Sequence, residues 1–229
     1  MNEDKTIAPA EVGAGAADTD VTAADGGANF WILPLSADSA KKAIPPFLDL
    51  CINWSMDKPH IDLDEILERD DAKFYFEDWG RTGDIAVAAW DRVPEDTSFA
   101  NAMSASKSAR SADESAAPAD RSDDAIGTSR ERDIIGLAWL RLSTEESTGF
   151  GWVAADIPEL SLAVRPEYQA HGVGTRLLEA ACSLARMSGH HAVSLAIEDG
   201  NTAADLFHKR GFVAVGRNGD SDILVRQLG

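Results

Sequence analysis

Sulfur, basic charge and long apolar runs are what this 229-residue chain has least of, and each shortage removes a class of protein. Its two cysteines, Cys51 and Cys182, lie far apart with no Cys-x-x-Cys pair, which excludes a disulfide framework. A reduced, cytoplasmic setting is expected, with both thiols in core packing. No stretch approaches the roughly 18 apolar residues of a membrane span. The first 29 residues have neither a basic start nor a continuous apolar segment, against a secretory signal. Lys and Arg number 21 against 39 Asp and Glu, for a formal charge of −18. Nucleic acid needs a basic stripe that is absent here. The acidity reads as a solubility device, with attraction of a cationic acceptor as its functional alternative.

Catalytic and metal patterns are also sparse. Ser183 and Ser194 have no recognisable His and acid partners for a nucleophilic triad. His190 and His191 are adjacent, so on a strand they face opposite sides and cannot chelate one ion; no metal site is expected. Two segments lack the apolar residues a core requires. Residues 1–29 contain no aromatic and carry six acidic residues against Lys5, and read as a disordered acidic tail. Residues 94–132 are dominated by Ser and Ala, with Phe99 the only aromatic. They read as a low-complexity loop insertion, since lengthening a loop costs little. The functional alternative is a regulatory or partner-binding segment.

What the chain does have is a glycine-bearing turn. Glu159 to Val164 alternates as a strand does, and Val173, Leu177, Leu178, Ala181, Leu184 and Ala185 fall on one helical face. Between them, Gln169-Ala170-His171-Gly172-Val173-Gly174 sits at a helix N-terminus. There the first N–H groups lack intrahelical partners and the dipole favours an anion; Gly172 and Gly174 remove Cβ atoms that would hold a phosphate away. A helix ending near Arg186, with Gly189 as its cap, leads to a strand from Ala192 to Ile197. Asn201 to Phe212 follows, and then a final strand from Ile223 to Leu228. Upstream, Phe30 to Leu35 reads as a first strand, and Ala37 to Asn53 as a helix interrupted by Pro45 and Pro46. Leu63 to Arg69 reads as a short helix, and Asp84 to Trp90 and Ile134 to Leu142 as strands. A Rossmann fold fits poorly, because its Gly-x-Gly-x-x-Gly order is missing.

The series from Pro158 to Phe212 resembles the GNAT superfamily of acyl-CoA-dependent N-acetyltransferases, and the likeness extends over Phe30 to Leu228 apart from the insertion. It implies one α/β domain over residues 30–229, with a mixed, mostly antiparallel sheet, helices on both faces, and a strand pair splayed near Leu162 to Val164. It implies acetyl-CoA as co-substrate, its pyrophosphate on Gln169, Ala170, His171, Gly172, Val173, Gly174 and Thr175. The pantetheine arm would lie along Leu162, Ala163 and Val164. Asn201, Ala203 and Phe207 would border the thioester. Glu159 stands where members often place the carboxylate that takes the amine proton, and is the candidate base. Many members carry a Tyr where this chain has Phe207, which leaves the leaving thiolate without an obvious acid.

Trp54, Tyr75 and Trp79 are candidates for the acceptor pocket, with edge packing as the alternative. The expected activity is acetyl transfer to a primary amine, on a small molecule or peptide, by direct attack. An inactive acyl-CoA-binding or sensor module is the other reading. A monomer or homodimer with no membrane partner is expected.

Overall fold

The computed structural model describes residues 30–91, 134–144 and 146–229. The acidic tail at 1–29 and the insertion at 94–132 lie outside the described residues. Seven strands form one sheet: β1 Trp31–Pro34, β2 Ile85–Trp90, β3 Ile134–Arg141, β4 Glu159–Val164, β5 Ala192–Glu198, β6 Val213–Asn218 and β7 Ser221–Gln227. Their spatial order is β1-β2-β3-β4-β5-β7-β6. Every neighbouring pair is antiparallel except β4 with β5, which run parallel. The strands that flank the insertion are neighbours, with Ile85 opposite Leu140 and Val87 opposite Ala138.

Helices cover both faces, because each has a single apolar stripe to bury. Helix α1 (Ala37–Ile52) turns Ala40, Ala43, Ile44, Phe47 and Leu48 onto one face, where they meet Trp139 and Ala163. Ser36 caps its start by accepting the Ser39 N–H at 3.3 Å. The expected interruption at Pro45 and Pro46 does not occur: the helix runs through both prolines. Two missing N–H donors free carbonyls one turn earlier, at Lys41 and Lys42, which are exposed and so open to water. Two short helices follow, α2 (Leu63–Glu68) and α3 (Asp70–Lys73).

On the opposite face lies α4 (Val173–Met187), whose Val173, Leu177, Leu178, Ala181 and Ala185 pack against Leu160, Leu195 and Leu224. Each fully buried large side chain of this kind adds roughly 1.5–3 kcal/mol, so this face anchors the start of α4 against β4. A last short helix, α5 (Ala204–Lys209), buries Phe207 edge-on to Phe212, with ring centroids 5.6 Å apart. Strand β6 was not expected from the sequence. Every one of its residues is exposed, so burial imposes no apolar alternation on it.

Candidate active site

The strand pair β4 and β5 is joined at one point, where Glu159 stands beside Ser194 and the Ser194 N–H donates to the Pro158 carbonyl at 3.0 Å. Beyond that point no pairing links them. The Arg165 N–H donates to Ile135 on β3, and backbone groups alternate in direction along a strand. The backbone groups of Leu162 and Val164 therefore face the gap, while Ala163 turns its own toward β3. Two side chains partly fill the opening. The Cys51 thiol approaches the Leu162 carbonyl at 3.6 Å, and the Gln169 side-chain amide donates to the Val164 carbonyl at 3.1 Å. Among the described residues, the Leu162 and Val164 N–H groups have no strand partner.

At the end of this gap the chain makes a 3₁₀ turn over Pro166–Tyr168 and enters α4. Ala170 and Gly172 have φ of 61° and 81°, a left-handed conformation that costs little for glycine and more for alanine. Such alternation turns successive N–H groups toward one side and makes a concavity that favours anions. Among the described residues, no N–H from Ala170 to Thr175 donates to another part of the chain. Gly172 opens onto free space, no side chain caps the helix, and its first turn carries no acidic residue. A pyrophosphate fits this donor set through main chain alone.

Glu159 lies at the other end of β4 and is only 4% exposed. Its Oε1 accepts the Tyr75 hydroxyl at 2.8 Å, whereas Oε2 makes no hydrogen bond. Burial pushes this carboxyl up from about 4.5 to about 7; the nearby Gly151 N–H and the Tyr75 hydroxyl draw it back part of the way. A carboxyl that changes charge near neutrality suits proton transfer at working pH. Ser194 is fully buried on the same face, and its hydroxyl also lacks a partner.

Two features missed from the sequence hold this arrangement. The first is Arg141 on β3, 2% exposed and opposite Glu159 in register. Its guanidinium grips both Asp84 oxygens, at 3.0 and 2.9 Å, and donates to the carbonyls of Phe74 and Glu77 at 2.8 and 2.6 Å. That pins the segment carrying Tyr75. A lone charge inside the apolar run Ile134 to Leu142 was its sequence signal.

The second is a strap, Gly149 to Trp152, laid across the sheet. A Cβ at Gly149 would overlap Glu159 Oε2, and one at Gly151 would stand 2.5 Å from the Leu195 backbone. Only glycine permits so close an approach at these two places. The Phe150 N–H donates to the Tyr75 hydroxyl at 2.9 Å, and Asn218 holds the Phe150 carbonyl at 3.1 Å. Its sequence signal was the aromatic residue set between two glycines.

The remaining expected residues are spread around this centre. Of the three aromatics, Tyr75 alone hydrogen-bonds Glu159. Trp54 donates to Glu198 Oε2 at 2.7 Å, and Lys58 pairs with the other oxygen of that carboxylate, which ties the segment after α1 to the end of β5. Trp79 is packed over the Arg141 guanidinium, 5.0 Å from ring centroid to carbon, inside the core. Asn201 accepts the Ala203 N–H at 2.9 Å and so starts α5. Phe207 brings a ring and no hydroxyl.

The described residues contain no cluster of three metal-ligating side chains. Nor do they contain a helix long and apolar enough to cross a membrane.

Comparisons with known proteins bear on the family and the fold. Residues 54–212 match the sequence model of the acetyltransferase (GNAT) family. The comparison with curated proteins returned no match. Among solved structures, the chain is similar to an acetyltransferase of the GNAT family from Staphylococcus aureus Mu50, at 13% identity and a TM-score of 0.52, over 88% of this chain and 100% of that one. It is also similar to the PaiA N-acetyltransferase of Thermoplasma acidophilum in complex with coenzyme A, at 14% identity and a TM-score of 0.51, over 87% and 99%. An N-acetyltransferase from Staphylococcus aureus Mu50 aligns at 15% identity and a TM-score of 0.50, over 88% and 100%. Likeness at such identities shows the fold.

Proposed function

Because the chain belongs to the acetyltransferase (GNAT) family, we propose that it transfers the acetyl group of acetyl-CoA to a primary amine by direct attack. The observation that carries this reading is the pair of sites at the two ends of β4: an anion cradle at Ala170 to Thr175 and a buried carboxyl at Glu159. Between them runs the gap faced by the Leu162 and Val164 N–H groups. A pantetheine chain threaded along that gap brings its thioester toward Glu159. The neighbour from Thermoplasma acidophilum was solved with coenzyme A, which supports that choice of co-substrate.

In this reading the amine attacks the thioester carbonyl, a C–N bond forms, and the C–S bond breaks. The Leu162 N–H, free of a strand partner, faces the developing oxyanion. Glu159 takes the amine proton at Oε2, the oxygen without a hydrogen bond, which Gly149 of the overlying strap covers until the strap shifts aside. The thiolate leaves without help from Phe207 and is protonated by solvent, which a thiol near pKa 8.5 allows. Direct attack is favoured because no cysteine is poised to carry the acyl group. Burial pushes the Cys51 thiol up to about 12 and Cys182 up to about 11, far from the thiolate a nucleophile needs.

The absent hydroxyl at Phe207 favours a second reading, an acyl-CoA-binding module with little turnover. Release of free CoA in the presence of an amine panel, with products identified by mass spectrometry, separates the two. We expect turnover with at least one primary amine and no acetylated protein when the acceptor is omitted. Tight binding of acetyl-CoA with no turnover across the panel would establish the second reading instead.

A further inference from the structure

Resting on the assignment of Glu159 as base, we propose that Tyr75 is its positioning residue, and that it makes the carboxyl sense whether the Gly149–Trp152 strap is seated. The hydrogen bonds run one way. A backbone N–H can only donate, so the Phe150 N–H occupies the Tyr75 oxygen and the hydroxyl hydrogen must point at Glu159 Oε1. This polarised chain favours the charged carboxylate and leaves Oε2 as the atom that receives the proton. The Tyr75 ring has no freedom to turn aside. Phe74 meets it edge-on with centroids 5.0 Å apart, and Phe150 stacks on its face at 6.2 Å. Arg141 clamps the carbonyls of Phe74 and Glu77 on either side of it.

The strap has two hooks, Tyr75 on the Phe150 N–H and Asn218 on the Phe150 carbonyl. Glycines at 149 and 151 let it lie directly on the base and on β5. Phe150 remains 41% exposed beside the base. An acceptor that displaces the strap also strips the chain that fixes Glu159, so the strength of the base depends on the strap's position. The titratable side chains on the elements around Glu159 are already committed. Arg141 on β3 is spent on Asp84, Cys51 on α1 leans on Leu162, and Glu198 on β5 is held by Trp54 and Lys58. Tyr75 is thus the side chain through which the carboxyl can be tuned, alongside the Gly151 N–H of the strap itself.

The test uses Tyr75→Phe, which keeps the ring and removes only the hydroxyl, and Asn218→Ala, which releases the second hook. In the full-length protein, the Glu159 carboxyl is titrated directly by difference infrared spectroscopy against Glu159→Gln, and kcat/KM is followed over pH with acetyl-CoA and the best amine. In Tyr75→Phe we expect the infrared midpoint and the acid limb to rise together by about one pH unit, and kcat to fall about tenfold. The acetyl-CoA KM should move less than about twofold, because the cradle is untouched. Asn218→Ala should shift the midpoint the same way by less. Midpoints that stay at the wild-type value in both variants overturn the proposal, as does a lower kcat with an unmoved limb. If Tyr75→Phe does not fold, the Asn218→Ala midpoint decides alone. An acid limb that survives in Glu159→Gln is a different failure, and removes the base assignment itself.

Discussion

The two ends of β4 solve the problem of holding charge in opposite ways. At the proposed cradle the charge would belong to the ligand, with main-chain N–H groups at an exposed helix start to receive it. At Glu159 the charge belongs to the protein, and four side chains or loops from distant parts of the sequence are needed to bury it. A backbone site depends on a few consecutive dihedral angles and tolerates many side chains. A buried carboxyl depends on the identity of each neighbour. Substitutions at the two ends should therefore differ in kind as well as in size.

The largest effect is expected at the buried end. Replacing Glu159 with Gln should lower kcat by roughly 10²–10⁴, the usual weight of a general base, with little change in the acetyl-CoA KM. The wild-type rate should climb as pH rises through about 7 and the variant's should not. Stability should move the other way. The folded carboxyl has its pKa raised from 4.5 to about 7, so the folded state holds the proton longer than the unfolded chain does. Its contribution is fully present below about pH 4.5 and is lost as pH climbs through about 7, a change of roughly 3 kcal/mol. Glu159→Gln escapes that loss, so its melting temperature should exceed that of the wild type at pH 8 by more than at pH 5. A Glu159→Gln enzyme with the wild-type pH profile would show that the carboxyl is no base.

This contrast also governs how much of the protein could be read from its sequence. The turn proposed as the cradle was legible because everything that forms it lies between Glu159 and Ala185, in one strand, one turn and one amphipathic helix. Glu159 itself was legible by its place at the start of that strand. Its surroundings were not. Tyr75, Arg141, the strap residues Gly149 and Phe150, and Asn218 come from four separate segments, and only tertiary pairing brings them together. Trp79 shows the reverse: an aromatic that a local reading offers to the acceptor is held in the core by Arg141. Strand β6 escaped because an edge exposed on both faces has no periodicity to detect. The prolines of α1 misled for a related reason, since whether freed carbonyls can find water depends on which side of the helix faces the sheet.

A middle-sized effect is expected from altering the cradle's backbone. In Gly172→Val the new Cβ meets no steric obstacle, since nothing lies within 4 Å of it. The φ of 81° is the difficulty, because a β-branched residue held there is strained by about 1–3 kcal/mol. The turn should relax out of its left-handed form and misdirect the N–H groups beside it. The acetyl-CoA KM should then rise about tenfold while kcat at saturation stays near wild type. If kcat falls instead and KM holds, the turn does not bind the phosphates.

The smallest effect should come from His171, even though it lies between the two left-handed residues and is the side chain a motif reader would pick first. His171→Ala keeps the backbone N–H, keeps a residue that accepts the local dihedral angles, and removes only an exposed imidazole. If the cradle is main chain, the acetyl-CoA KM should change by less than about twofold. If the imidazole itself contacts the phosphates, KM must rise in His171→Ala. A rise comparable to that of Gly172→Val would make the phosphate site a side-chain site after all, and the contrast between the two ends of β4 would disappear.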